Sequence, residues 1–140
     1  MARSPTAQRT FRLAPETLDR LDERARDLGE SRNGLAQRLL DEGLRLEQHP
    51  LIYFREGAAG LRRPALVGTR LYVWQVVDTL RASDGVQDAA SYLALTEAQV
   101  RAAAGYYADF VDEVEADAAA EREFAERDRA RAERAQQVLG

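Results

Sequence analysis

The stretch QRTFRLAPETLDRLDERARDLGESRNGLAQRLLDEGL, residues 8–44, decides the organisation of the N-terminal part of the chain. Residues 8–13 alternate polar and apolar side chains, which is the period of a β-strand. Pro15 then stands at a first helical position, and leucine and alanine recur after it at helical spacing. Gly29 is typical of a left-handed C-cap, and Ser31 of an N-cap that begins a second helix. The pattern predicts one strand followed by two helices.

The predicted strand lacks a partner strand in its own part of the chain. A single strand leaves backbone N–H and C=O groups unsatisfied, and no second strand is predicted within residues 1–49. The simplest partner is the same strand of a second chain, which gives a two-stranded antiparallel ribbon over four helices. The sequence therefore predicts an obligate homodimer formed through the N-terminal strand.

A second region follows, with two short strand candidates at residues 52–54 and 64–67. A helix is predicted to carry Val73, Val76, Val77 and Leu80, and a shorter helix to span 86–93. Thr96 and Gln99 form a capping box. They precede one long helix that is expected to present Val100, Ala104, Tyr107, Val111 and Val114 on a single face.

From about Glu115 the composition changes to alanine, glutamate and arginine, with too few apolar residues to dock this tail on its own domain. We therefore predict a mainly α fold with short β elements, in three parts. Residues 1–48 form a dimerisation domain, residues 49–115 a small helix-turn-helix-like domain, and residues 116–140 an acidic helical tail.

Composition excludes several classes of protein. The chain has no cysteine, so it can form neither disulfides nor thiolate zinc sites. With one histidine, no glycine-rich phosphate loop and no His-Glu-x-x-His motif, we expect no enzyme, no catalytic residue, no cofactor and no metal. The sequence contains neither a signal peptide nor an apolar run of membrane-spanning length, so we expect a cytoplasmic protein without a membrane partner.

The net charge of −4 conceals a basic N-terminal arm. Residues 1–14 contain Arg3, Arg9 and Arg12 and no acidic residue, a local charge of +3, whereas residues 84–140 carry −7. The field at a contact is set locally, so a basic arm on an acidic protein can bind phosphates.

Two parts of the chain resemble known families. Residues 8–46, with their strand, proline-started helix, Gly-Glu-Ser-Arg break and second helix, resemble the ribbon-helix-helix family, although Ala14 replaces the usual capping residue. Residues 49–114 resemble the family called domain of unknown function 433. The motifs that carry this second resemblance are His49-Pro50, Ile52, Gly57, Arg63-Pro64, Gly68-Thr69-Arg70, Val73 and Leu95-Thr96, with Ser83-Asp84-Gly85-Val86 in place of the usual Gly-Ser/Thr step.

The resemblances imply which residues would bind DNA. An antiparallel ribbon fits the major groove, where Gln8, Thr10 and Arg12 would contact base edges. The alternative for these three is the exposed polar face of an ordinary edge strand. The start of the second helix, Ser31-Arg32-Asn33, would bind phosphate through free N–H groups, or would be only a helix cap.

Together the resemblances imply a VapB-like antitoxin that binds operator DNA, represses its own operon and neutralises a ribonuclease toxin similar to PIN domains. Arg122, Phe124, Arg127 and Arg131 in the tail would contact the toxin, and the alternative is a solvated charged helix. Arg70, in a basic stretch, is better explained as part of a structural turn than as a second DNA contact. The competing functions are a stand-alone transcriptional regulator and a structural helical adaptor.

Overall fold

The computed structural model describes residues 5–57 and 60–140, and within these ranges it has six helices and one two-stranded antiparallel sheet. The helices are α1 (Pro15–Leu28), α2 (Arg32–Gln48), α3 (Val73–Arg81), α4 (Val86–Leu93), α5 (Glu97–Asp109) and α6 (Val111–Leu139), and the strands are β1 (Ile52–Glu56) and β2 (Arg62–Leu66). The predicted mainly α fold with short β elements is confirmed. The chain divides into two compact units, Met1–Leu44 and Arg45–Gly140.

The local signals of the first unit act as the sequence predicts. Pro15 begins α1, where its missing N–H costs no helical hydrogen bond. Gly29 ends the helix at φ 65°, a left-handed conformation that glycine adopts without a Cβ penalty. The Ser31 Oγ accepts the N–H of Gly34 at 3.0 Å and so caps α2. The second helix ends at Gln48, one residue before His49-Pro50.

The segment before α1 forms neither helix nor strand in the single chain. Residues 5–14 are exposed throughout, and Ala14 connects them to α1 by accepting the N–H groups of Thr17 and Leu18. The predicted strand over 8–13 needs a second chain to complete its ladder. It therefore stays a prediction.

The sheet of the second unit places both predicted strands as an antiparallel pair. Phe54 lies opposite Pro64, and Tyr53 lies opposite Ala65. The N–H of Leu66 points away from β1 and donates to the carbonyl of Leu71 at 2.9 Å. Pro64 lies two residues earlier in the same strand, so its missing N–H would also have pointed away from β1, and the proline costs the sheet no hydrogen bond. The strand β2 is thus covered on both sides, and its residues 63–66 are buried.

The short helices α3 and α5 pack on this sheet and on α6, and α4 packs on α3 and α5, so that together they form the core. The buried core residues are Ile52, Leu66, Val73, Val76, Val77, Ala89, Ala90, Val100, Ala103, Tyr106 and Val114. The predicted capping box is confirmed, since Thr96 and Gln99 bond each other's backbone N–H groups at 2.8 and 3.1 Å. Short turns at 82–85 and 94–96 join the three helices, and the predicted helix-turn-helix-like character of this part of the chain stays a prediction.

The prediction of one long helix after Thr96 is wrong. Phe110, at φ −134° and ψ 47°, separates α5 from α6. The break changes which side chains are buried: α5 buries Val100, Ala103 and Tyr106, while the expected Ala104 and Tyr107 are only partly covered. Val111 is exposed, and α6 buries Val114 and Ala118. No glycine or proline marks the break in the sequence.

Replacing Val100 with alanine tests this core. The side chain is fully buried, and its truncation leaves a cavity as well as losing transfer free energy. We expect the free energy of unfolding to fall by about 1–3 kcal/mol, measured by urea denaturation. Val138→Ala is the matched control, because Val138 is 88% exposed and its truncation should leave stability unchanged.

Candidate functional site

An apolar groove opens on the surface of the first unit. It has a volume of about 530 Å³. Its apolar lining consists of Phe11, Leu13, Leu21, Ala36, Leu39 and Leu40, and Thr17, Arg20 and Arg24 also line it. The two residues expected to face a core from the N-terminal segment, Phe11 and Leu13, therefore both reach the groove formed by α1 and α2.

The groove leaves large side chains in water. Phe11 is 69% exposed, Leu40 56% and Leu39 50%, whereas only Ala25, Leu35 and Glu42 are buried among the described residues of this unit. A chain segment of this length cannot enclose a core by itself. Contiguous exposed apolar surface of this kind is typical of a binding surface.

The proposed base-contacting residues belong to the same segment and lie outside the groove. Gln8, Thr10 and Arg12 are exposed and do not line the groove, whereas their neighbours Phe11 and Leu13 do. The segment thus separates polar from apolar side chains in the alternation that the sequence shows. Arg9 is exposed as well, and Arg3 lies outside the described residues.

The proposed phosphate-contacting residues stand at the start of α2. Ser31 is used as the cap, through the N–H of Gly34. Arg32 forms an ion pair with Asp22 of α1, and Asn33 is exposed. The structure therefore brings these three residues together, with the Arg32 guanidinium engaged within the unit.

The second unit contains a polar cluster that the sequence did not indicate. Arg45, in the last turn of α2, stacks 4.1 Å from the Phe110 ring centroid and donates to the Tyr106 hydroxyl at 3.0 Å. It also binds the Glu113 carboxylate at 2.9 Å, a hydrogen bond that lowers the pKa of Glu113. His49 lies beside the same rings, with its Nε2 2.9 Å from the Asp109 carboxylate. This polar cluster holds the last turn of α2 against the α5–α6 break.

A second missed residue, Arg63, docks α6 on the sheet. Arg63 is 3% exposed, forms an ion pair with Glu121 and lies 3.7 Å from Asp117 through its Nε. Arg122 adds a 2.8 Å bond to Asp78 of α3. The prediction that the tail does not dock on its own domain is therefore wrong for residues 116–122. Ion pairs of Arg63 and Arg122 attach this part of α6 to β2 and α3. The sequence signal was an arginine inside a strand and two carboxylates four residues apart on one helix.

The four residues proposed to contact a toxin separate into two groups. Arg122 is bonded to Asp78 within the second unit. Phe124, Arg127 and Arg131 follow one another at intervals of three and four residues, so they share one face of α6. Phe124 is 50% exposed, and Arg127 forms an ion pair with Glu123.

The part of the second unit that contains α4 and α5 is acidic. Residues 82–109 contain Asp84, Asp88, Glu97 and Asp109, all exposed, against the single Arg101, a net charge of −3. Arg101 lies 3.9 Å from Glu97. Phosphate would be repelled from these helices.

The turn that contains Arg70 is held by a side chain of β1. Arg55 donates to the backbone carbonyl of Arg70 at 2.5 Å, which agrees with a structural role for that turn.

The comparison with protein families identifies part of this unit. Residues 61–107, from β2 through most of α5, match the family described as Protein of unknown function (DUF433). A DUF433 domain therefore occupies these residues. Searches of curated proteins and of solved structures give no match to the chain.

The DUF433 domain includes Arg63, and the acidic residues that bind it lie outside the matched range, on α6. Among the residues that the structure describes, no group of histidine, aspartate and glutamate side chains is placed to hold a metal ion. None of the described helices combines the length and apolar character needed to cross a membrane.

Asp117 gives a pH-dependent prediction. Burial raises the pKa of Asp117 to about 6, although Arg63 acts in the opposite direction. Because the pKa of Asp117 is higher in the folded than in the unfolded chain, binding of its proton stabilises the fold. This stabilisation is complete below about pH 4 and is lost as the pH rises through about 6. We expect Asp117→Asn to be more stable relative to the native chain at about pH 7.5 than at about pH 4.

Urea unfolding at the two pH values measures this difference. Ala119→Asn, which introduces the same amide at an exposed position of the same helix, is the control: it neither adds nor removes a titrating group, so it should change the free energy of unfolding equally at both pH values. An Asp117→Asn variant whose effect is the same at both pH values would contradict the assignment.

Proposed function

We propose that this protein is a dimeric DNA-binding antitoxin of the cytoplasm, which represses its own operon and neutralises a PIN-like ribonuclease toxin. The observation that carries the DNA-binding half is the apolar groove of the first unit. A ribbon-helix-helix dimer buries the apolar faces of both chains and orders the two N-terminal segments as one ribbon. A second copy is the fitting occupant because it would also supply the missing partner strand for residues 8–13.

The charge distribution supports the same assignment. The arm over residues 1–14 carries +3, and the exposed residues Gln8, Thr10 and Arg12 do not line the groove. In a ribbon these side chains would enter the major groove, where arginine can bond guanine and glutamine adenine. The acidic helices of the DUF433 domain favour DNA contact by the first unit alone. Operator binding is therefore expected to weaken with rising salt concentration.

The toxin half of the proposal rests on the resemblance of residues 49–114 to antitoxin domains, often encoded beside PIN-like ribonucleases. The competing function is a stand-alone regulator that has no toxin. A neighbouring reading frame for a PIN-like nuclease, whose product co-purifies with this chain, distinguishes the two.

Leu39→Glu tests the dimer. The Leu39 side chain lines the groove and is 50% exposed, so a charge there should leave the fold of the single chain intact. In a dimer the same charge would be buried in the interface and would prevent association. We expect the mass measured by light scattering to fall from dimer to monomer, with loss of operator binding. Gln37→Glu adds a similar charge two residues away, outside the groove, and should leave the dimer intact. A dimeric Leu39→Glu variant would contradict the groove as the interface.

Arg12→Ala tests base contact. We expect operator affinity to fall by about 1–3 kcal/mol while the dimer persists, measured by fluorescence anisotropy with DNA from the chain's own promoter. Arg9→Ala removes the same charge from an odd-numbered position, which in a strand lies on the face opposite to Gln8, Thr10 and Arg12. It should reduce binding to operator and random DNA alike. Equal effects of the two variants on operator preference would rule out base contact by Arg12.

A further inference from the structure

The turn that follows β2 is fixed by backbone and side-chain hydrogen bonds. Gly68 has φ 79°, and the Thr69 N–H donates to the Leu66 carbonyl at 3.1 Å, which closes a β-turn that favours glycine at its third position. The Thr69 hydroxyl donates to the same carbonyl at 2.9 Å. Arg55 binds the backbone carbonyl of Arg70. These bonds account for the first two residues of the Gly68-Thr69-Arg70 motif, but they do not involve the Arg70 side chain.

The Arg70 guanidinium is unused in the single chain. Residues 45–122 contain seven other arginines, and each of them interacts with another group of the protein. Arg70 is exposed, and within the described ranges its guanidinium forms neither a hydrogen bond nor an ion pair. A guanidinium presented on a fixed turn is well suited to bind a carboxylate.

Apolar side chains lie beside this guanidinium at the end of the sheet. Leu51 and Val67 are neighbours, because the Val67 N–H donates to the Leu51 carbonyl at 2.8 Å, and they are 42% and 45% exposed. Val67, Tyr53 and the turn with Arg70 line a shallow depression of about 460 Å³ that has no acidic residue in its lining. We call Leu51, Tyr53 and Val67 the sheet-end patch. A ligand that combines an apolar group with a carboxylate would match this surface.

The helix α4 presents that combination on another surface of the unit. Tyr92 is 81% exposed, and the exposed Asp88 lies one helical turn before it. Both residues line the same depression on α4, and we call them the α4 edge. Asp88 accepts the Asp84 N–H through Oδ2 at 2.9 Å, which leaves Oδ1 for another donor. Because α4 packs on α3 and α5, its edge is separate from the sheet-end patch.

We infer that Arg70 and the sheet-end patch bind the α4 edge of a second copy of this chain. The Arg70 guanidinium would pair with the Asp88 carboxylate, and the Tyr92 ring would cover the apolar side chains of the patch. A second copy is the occupant that the chemistry favours, because the chain itself carries both complementary halves. The contact uses neither the groove of the first unit, nor DNA, nor a toxin. It would join dimers to one another.

Nucleic acid fits this surface less well. The depression beside Arg70 is lined by Tyr53 and Val67, which offer a phosphate no charge. A nucleic-acid backbone is bound by several cations at once, whereas the neighbouring Arg55 already bonds a backbone carbonyl and stacks 4.7 Å from the Tyr72 ring centroid.

Sedimentation velocity of the full chain at increasing concentration tests the contact. A contact of this small size is weak, so we expect the mass to rise above that of a dimer only at high concentration. Arg70→Glu and Tyr92→Ala should each weaken this further association by about tenfold or more. Arg101→Glu makes the same charge change at another exposed position, and Tyr92→Phe keeps the ring, so both controls should associate as the native chain does. Circular dichroism verifies that each variant folds.

A mixture of two variants gives the sharpest readout. Asp88→Arg alone should also prevent the further association, because two arginines would then meet in the contact. Mixing the Asp88→Arg chain with the Arg70→Glu chain should restore association. In the mixture the two reversed charges face each other at one contact, and the native Arg70 and Asp88 meet at the next.

The other outcomes are distinguishable. If the native chain never exceeds the mass of a dimer, or if the mixture does not restore association, the contact is wrong and the proposed function is unaffected. If Arg70→Glu weakens operator binding without changing the mass, Arg70 contacts DNA and the inference is overturned. If Arg70→Glu converts the dimer to a monomer, the inference stands, and the groove of the first unit is not the dimer interface.

Discussion

A short segment and two helices cannot enclose a core, and this constraint governs the first unit. Every large apolar side chain that lines its groove would cost free energy if it stayed in water, on the order of 25 cal/mol for each Å². The same unit has an N-terminal segment without a strand partner. The association of two copies that we propose would remove both deficits at once. The proposal of DNA binding follows from this constraint, because a ribbon could form only in such a dimer.

The second unit satisfies its constraints by itself. Its sheet and short helices bury a continuous apolar cluster, and buried or half-buried arginines connect the parts that apolar residues do not. Arg45 joins the end of α2 to the α5–α6 break, and Arg63 joins β2 to α6. Removing one partner from such an ion pair leaves a poorly solvated charge, so the loss of either partner would destabilise the fold.

Charge separates the proposed tasks along the chain. The N-terminal arm is basic and suits phosphate, whereas α4, α5 and the first half of α6, residues 111–126, are acidic. The total charge of −4 describes none of these surfaces.

The sequence by itself determined the helices of the first unit, the two strands and the short helices of the second. Those elements depend on local chemistry: proline at a first helical position, Gly29 at a left-handed cap, and Ser31 and Thr96 at N-caps. The sequence also indicated that Phe11 and Leu13 face apolar surface, and both line the groove. The polar residues that alternate with them, Gln8, Thr10 and Arg12, do not line it.

Only the tertiary structure decided the break at Phe110, the roles of Arg45 and Arg63, and the point at which α6 leaves the domain. Each depends on residues that are about 60 positions apart in the chain, as with Arg45 and Tyr106, or Arg63 and Glu121. A local pattern records propensity and periodicity. It cannot record which distant carboxylate will neutralise a buried arginine, because that choice is made by packing.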